Sequence, residues 1–340
     1  MKTLRFSSSL FRINSTQTNK NGINSALRFS TTSNIWGPEN RRYIPRRAVL
    51  YVPGSDERKL KKIPSLGADC IVMDCEDGVA LSKKAAARST IHRVLDKQEI
   101  DFMGKDCSVR FNSADSGLCE LDMVEVLSAA HLPTTVHLPK VESPEQLDWF
   151  SEKLSHALGS RRLQEKLRLI IFTESAQSLL DLPAICRRGV ELSRDAPFSL
   201  DGVVFGSDDF CADIGATRTN EAKELSFARQ YVVTVAKAFK LQAIDLVYID
   251  YKDLAGLKVQ SEEGVGMGFT GKQVIHPGQV PVVQAAFSPP AEKIEWAKAL
   301  IQAFEEHQKE GKGAFTFRGN MIDMPLLLQA RNIVQLASSL

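Results

Sequence analysis

A TIM (β/α)8 barrel of the α/β class, carrying a C-terminal helical extension or lid, is the fold this sequence predicts, on three observations. One unit recurs from about residue 45: a short β-rich run, a polar or Gly-containing stop, then a longer helical pattern. Strands that alternate with helices make parallel βαβ units. Eight such units occupy residues 45–290, the size of a (β/α)8 domain, typically about 250 residues. An open doubly wound sheet is the alternative, and it normally stops at fewer strands.

In chain order the strands are expected at 48–53, 70–75, 107–112, 135–140, 167–174, 202–209, 243–249 and 273–276. Apolar, β-branched and aromatic residues dominate these runs, side chains that fit a pleated, buried surface. Helical patterns lie between them at 83–97, 117–130, 144–158, 176–188 and 225–240. After the eighth strand come a helix-like segment at 291–307, a link containing Gly311 and Gly313, and a final helical piece after Asp323. This tail, 291–340, has no slot in a barrel, so it is expected as an appendage, a lid or an arm reaching a neighbouring subunit.

Residues 1–38 stand apart. They contain Lys2, Arg5, Arg12, Lys20 and Arg28 but no Asp or Glu, among many Ser, Thr and Asn. A basic, Ser-rich, acid-free leader is the composition of a mitochondrial transit peptide; a disordered tail without an address is the other reading. The net charge of +2 gives no reason to expect nucleic acid or an anionic membrane as partner. No apolar run approaches the roughly 18 residues of a membrane span. The cysteines, Cys70, Cys75, Cys107, Cys119, Cys186 and Cys211, make no Cys-x-x-Cys pair, and several sit in apolar runs. That predicts reduced, buried thiols rather than disulfides or a zinc site.

Chemistry in a TIM barrel belongs to the C-terminal ends of the strands. The second strand ends in Asp74, Glu76 and Asp77, the fourth in Lys140 and Glu142, the fifth in Glu174, and the sixth in Asp208 and Asp209. The third alternates, so Ser108, Arg110 and Asn112 share one face and Arg110 should point inward at the mouth. Glu174 and Asp209 end neighbouring strands, which run about 4.8 Å apart. Two carboxylates that close can share a hard divalent cation, with water and substrate completing six positions, the Mg2+ pattern. Each can equally cap a helix or pair with a nearby Arg. Near the first strand, Ser55 is expected to lead into a helix on which Arg58 and Lys62 share a face, a site for phosphates or a solvated basic face. Asp323 reads as the N-cap of the last helix, with Pro325 in its first turn; a Gly-preceded arm is also a way for a lid to deliver an acid or base. His276 is held only as a pocket-lining candidate. Gly266, Gly268 and Gly271 match the G-x-G-x-x-G dinucleotide pattern, but here a helix precedes them and a strand follows, the reverse of the required order.

Several ordered motifs then resemble one family. Arg47 to Gly54, Met73 to Val79, Val109 to Asn112, Leu138 to Ser143, the strand ending at Glu174, Phe205 to Phe210, and Val274 to Pro277 are similar to the citrate lyase β-subunit and malyl-CoA lyase family, over about residues 45–340. The resemblance implies a homotrimeric TIM barrel that uses Mg2+ to cleave an acyl-CoA thioester by a retro-Claisen step. Its implied substrate is (3S)-citramalyl-CoA, cut to acetyl-CoA and pyruvate, with malate synthase-type activity on glyoxylate as a side reaction. It implies Glu174 and Asp209 on the metal, Arg110 on the substrate, and Tyr51, Arg58 and Lys62 around the coenzyme A portion. Gln273, Val274 and Ile275 would line the pocket, and Asp323 from a neighbouring subunit would be the catalytic acid/base. Asp74, Glu76 and Asp77 would orient Arg110 or a water beside the metal. Arg58 stands where the family pattern has Lys, which keeps the charge but alters the geometry. Malyl-CoA as the main substrate, and a catalytically silent barrel serving as a scaffold, are the rival readings.

Overall fold

The computed structural model describes residues 43–309 and 315–338, so the leader at 1–38 and the Gly311–Gly313 link lie outside the described residues. Eight parallel strands close into a barrel in sequence order: β1 Ala48–Pro53, β2 Cys70–Asp74, β3 Asp106–Arg110, β4 Thr135–Leu138, β5 Leu167–Thr173, β6 Phe198–Phe205, β7 Gln242–Asp245 and β8 Gly271–Val274. Closure comes from β8 pairing with β1, Lys272 opposite Ala48 and Gln273 opposite Val49. The intervening helices are α1 Glu57–Leu60, α2 Lys84–Lys97, α3 Cys119–Leu127, α4 Pro144–Leu158, α5 Ala176–Leu192, α6 Ser207–Ile214, α7 Ser226–Ala238, α8 Leu254–Met267 and α9 Val280–Ala286. None of the described helices is long and apolar enough to cross a membrane.

Period-two alternation divides each strand between two cores. Val49, Cys70, Val72, Ile170, Phe172, Val204 and Ile244 fill the barrel interior, with Tyr51 packed against them. Their outward neighbours, such as Leu50, Ile71, Val203 and Val274, pack under the helices. Arg46 plugs the N-terminal end, fully buried between Asp106 and Asp201. The glycines of the dinucleotide-like pattern serve this closure. Gly268 ends α8 at φ +103, a left-handed position that suits glycine. Gly271 opens β8 so close to the Arg46 carbonyl that a Cβ there would collide with it.

The sixth strand departs from expectation. It runs Phe198–Phe205, earlier than 202–209, because Gly206 ends it and Ser207 begins α6. Asp208 and Asp209 therefore occupy the first turn of a helix, the end whose free N–H groups favour acids. All six cysteines are free thiols, five of them buried.

Beyond the barrel, α10 Ala291–Lys309 and α11 Met324–Ser338 flank a hairpin of β9 Phe315–Phe317 and β10 Asn320–Ile322. Arg318 and Gly319 turn this hairpin at φ 48 and 84, the positive pair that a tight two-residue turn requires. Ala297, Leu300, Ile322 and Ala330 form a small core of their own, separate from that of the barrel.

Candidate active site

The C-terminal ends of the strands surround a cavity of about 780 Å³, within the usual range of small-molecule sites. Tyr51, Lys62, Asp74, Asp77, Arg110 and Glu174 line it, as do Asp209, Gln273, Ile275 and His276. Fold topology brings these together, because each belongs to the C-terminal half of a strand or to the segment that follows one.

Arg110 organises one side. It stands opposite Asp74 in the β2–β3 register, and its Nε and Nη2 donate to the two Asp74 carboxylate oxygens at 2.7 Å each. Its Nη1 lies 3.0 Å from Glu76 Oε2. The guanidinium has five N–H donors, so this geometry leaves two for a bound molecule. Asp74 is fixed in turn by the backbone N–H groups of Glu76 and Gly78, at 2.8 and 2.9 Å. A side chain at residue 78 would strike Asp74, with its Cβ 2.5 Å from Oδ2. Burial opposes the Asp74 charge, but Arg110 and these hydrogen bonds outweigh it and hold the carboxyl below its ordinary range. Below Arg110 lie three rings: Tyr51, 4.9 Å from the guanidinium carbon, then His137 and Phe172. His137 is wholly buried, and neither ring nitrogen has a hydrogen-bond partner among the described residues. Burial, then Arg46 and Arg110, push its pKa far down and keep the imidazole neutral.

Glu174 lies one residue past β5. Burial first, then Glu76, then Asp209 raise its carboxyl to about 8, against the pull of Arg110 and the Lys140 N–H. Asp209 faces it from α6, with its side chain 46% exposed. Gly206 makes room, since a Cβ there would overlap the Glu174 side chain. Among the described residues no group of three or more His, Cys, Asp or Glu is spaced to hold a metal. What the mouth offers is a pair of hard oxygen donors, one of them destabilised in its charged form. That donor set fits a magnesium ion, which keeps most of its positions for water and substrate oxygens.

Lys140, read from the sequence as ending the fourth strand with no role assigned, stands amid the acids of the mouth. Its Nζ lies 3.0 Å from Glu76 Oε1, 3.4 Å from Asp77 Oδ1 and 3.9 Å from Asp209 Oδ2. Lys59 was missed by sequence reasoning. It lines the cavity with Lys62, whereas Arg58 does not. The reason is local: α1 ends at Leu60, so Arg58 and Lys62 do not share one helical face. The cap of that helix is Asp56, whose Oδ1 accepts from the Lys59 N–H at 3.0 Å, rather than Ser55.

Two other expected residues lie elsewhere. Val274 is fully buried in the outer core, because strand alternation turns it away from the cavity that Gln273 and Ile275 face. Gln273 is held by the carbonyl of Phe205, to which its Nε2 donates at 3.0 Å. Asp323 is exposed outside its own chain's cavity and caps α11, its Oδ1 accepting from the Leu326 N–H at 3.1 Å. His276 accepts from the Gly278 N–H through Nδ1 at 3.0 Å and stacks on Tyr251.

The family model described as HpcH/HpaI aldolase/citrate lyase matches residues 47–277. The human protein named mitochondrial citramalyl-CoA lyase is 56% identical over 301 residues, covering 88% of each chain. The mouse protein of the same name is 55% identical over the same shares. The crystal structure of CitE from Mycobacterium tuberculosis, in complex with magnesium, acetoacetate and coenzyme A, superposes with a TM-score of 0.67 at 27% identity, covering 86% of this chain and 98% of that one.

Proposed function

The chain belongs to the HpcH/HpaI aldolase/citrate lyase family, and from that premise we propose that it is a magnesium-dependent carbon–carbon lyase that cleaves citramalyl-CoA to acetyl-CoA and pyruvate. The observation that carries the chemistry is Glu174, a buried carboxyl raised to about 8 that shares one cavity with Asp209 and with the two uncommitted N–H groups of Arg110. The substrate reading is supported by the names of relatives that are 55–56% identical over 301 residues.

In this reading Glu174 and Asp209 hold magnesium, which when bound supplies a Lewis acid and a template for the substrate's oxygens. Lys59 and Lys62 take the phosphates of the coenzyme A tail. The hydroxyl proton of the substrate leaves, and the oxygen's electron pair becomes the carbonyl of pyruvate. The carbon–carbon pair passes to the thioester as an enolate, whose oxygen the free Arg110 N–H groups stabilise. A proton then returns to the methylene carbon, completing the acetyl group. Asp323 is the proposed acid/base. Its exposure on the C-terminal arm, outside its own cavity, supports its delivery to a neighbouring copy in a homotrimer. The proposed location is the mitochondrial matrix, supported by the acid-free leader and by the mitochondrial names of the relatives.

The test is a coupled assay of the purified chain. It follows pyruvate and acetyl-CoA released from (3S)-citramalyl-CoA, with and without magnesium, beside malyl-CoA. Magnesium-dependent pyruvate release that outpaces malyl-CoA cleavage is expected. Faster malyl-CoA cleavage would keep the mechanism and overturn the substrate. No turnover of either by folded protein would overturn the lyase.

A further inference from the structure

Gln273 borders the cavity from β8 and is almost wholly buried. Its Nε2 donates to two main-chain carbonyls, Phe205 at 3.0 Å and Asp245 at 3.4 Å, the last residues of β6 and β7. A carboxamide nitrogen carries two N–H donors, so both are spent. These bonds also fix which way the amide faces, because turning it over would set its oxygen against two carbonyl oxygens. Oε1 accepts from no described residue. Yet it is not sealed inside the protein, as the unpartnered oxygen of Gln242 is. The strand ends thus present the cavity with one neutral acceptor, locked in orientation and with no donor of its own to spare.

The place of this acceptor picks out its ligand. Although β8 is paired with β1, the Gln273 side chain leans the other way, across β7 to the end of β6. The next residue there is Gly206, whose backbone abuts the Glu174 side chain. Lys59 and Lys62 follow β1 instead. In the reading of the site given above, the coenzyme A phosphates lie toward those lysines and the acyl half toward Glu174. The acyl half of citramalyl-CoA carries a carboxylate, a thioester carbonyl, a methyl and a hydroxyl, and of these only the hydroxyl donates a hydrogen bond. We propose that Gln273 is a substrate-binding residue whose Oε1 accepts from this hydroxyl. The inference rests on the proposed function and names the atom that meets the reacting alcohol. The bond sets the rotation of the one group whose proton must leave before the carbon–carbon bond can break.

The experiment takes two readouts from the full chain with magnesium. Cleavage of citramalyl-CoA gives kcat/KM. Competitive inhibition by methylsuccinyl-CoA, which differs from it only in lacking the hydroxyl, gives Ki. Gln273→Met, similar in size but without the amide, is expected to lower kcat/KM about tenfold and to leave Ki within about twofold of the parent. Unchanged kcat/KM overturns the proposal. So does a Ki that rises by the same factor, because the lost contact then lies on another part of the molecule or the amide serves only the fold. Should Gln273→Met not fold, Gln273→Asn, which keeps the amide but draws its oxygen back, decides by the same two readouts. A parent that cleaves no citramalyl-CoA overturns the lyase and the inference with it, whereas a cleaving parent with an unaffected variant overturns the inference alone.

Discussion

Arg46 and Arg110 occupy opposite ends of the same barrel in closely similar company. Each is buried, and each is bracketed by two carboxylates: Asp106 and Asp201 at 2.6 and 2.7 Å for Arg46, Asp74 and Glu76 at 2.7 and 3.0 Å for Arg110. For both, burial disfavours the charge, and the paired acids overcome it and raise the pKa. What differs is the remainder. Arg46 spends a further N–H on Thr135 at 3.0 Å and is wholly enclosed by protein. Arg110 borders the cavity, with Glu174 across from it. The same side chain is a structural plug at one end and a substrate-facing group at the other, the division of labour expected between the two faces of a TIM barrel.

The largest expected effect is at the closed end. Arg46→Met should cost roughly 3–5 kcal/mol of stability, because it strips the buried Asp106 of the guanidinium it pairs with and removes the nearer of the two arginines beside Asp201. Urea unfolding measures this loss, and turnover per folded molecule should be unchanged; a drop in that turnover would break the comparison. Arg110→Lys should do the reverse. Retaining charge but losing the fork, it should lower kcat by about 10²–10³-fold while the unfolding midpoint moves little.

A pH series sharpens the contrast at Glu174. Its folded pKa of about 8 is raised above the ordinary 4.5, so without metal its contribution to stability is complete below the unfolded pKa and is lost as pH rises through about 8. Metal binding displaces the proton, so magnesium affinity should rise about tenfold per pH unit between roughly 6 and 8 and level off above that. Calorimetry across this range checks it, and Glu174→Gln should abolish the dependence. The smallest effect belongs to the lip. Lys59→Ala and Lys62→Ala should each raise KM for the thioester roughly three- to tenfold through one lost phosphate contact, with kcat unchanged. Arg58→Ala should stay within about twofold, as an exposed side chain outside the cavity does.

Much of this was legible in the chain. The β1 strand and helix α4 fall on the predicted residues, because a Pro–Gly stop and a Ser–Pro start are strong local signals. Period two was enough to aim Arg110 inward. The same rule, applied to Gln273, Val274 and Ile275, would have turned Val274 outward. Gly206 was also on the page as the stop that ends β6 early and carries Asp209 into a helix.

What the sequence determined by itself was therefore the barrel, the acids and arginine at its strand ends, and the family they resemble. These depend on local propensity and periodicity, which act over a few neighbouring residues. The tertiary structure alone decided which groups face one another. Lys140 meets Glu76 and Asp209 across 64 and 69 residues of chain, and the Glu174 carboxyl is raised because the closed barrel buries it and sets Glu76 and Asp209 near it. Coulomb interactions and desolvation depend on distance through space, and distance through space is set by closing the barrel.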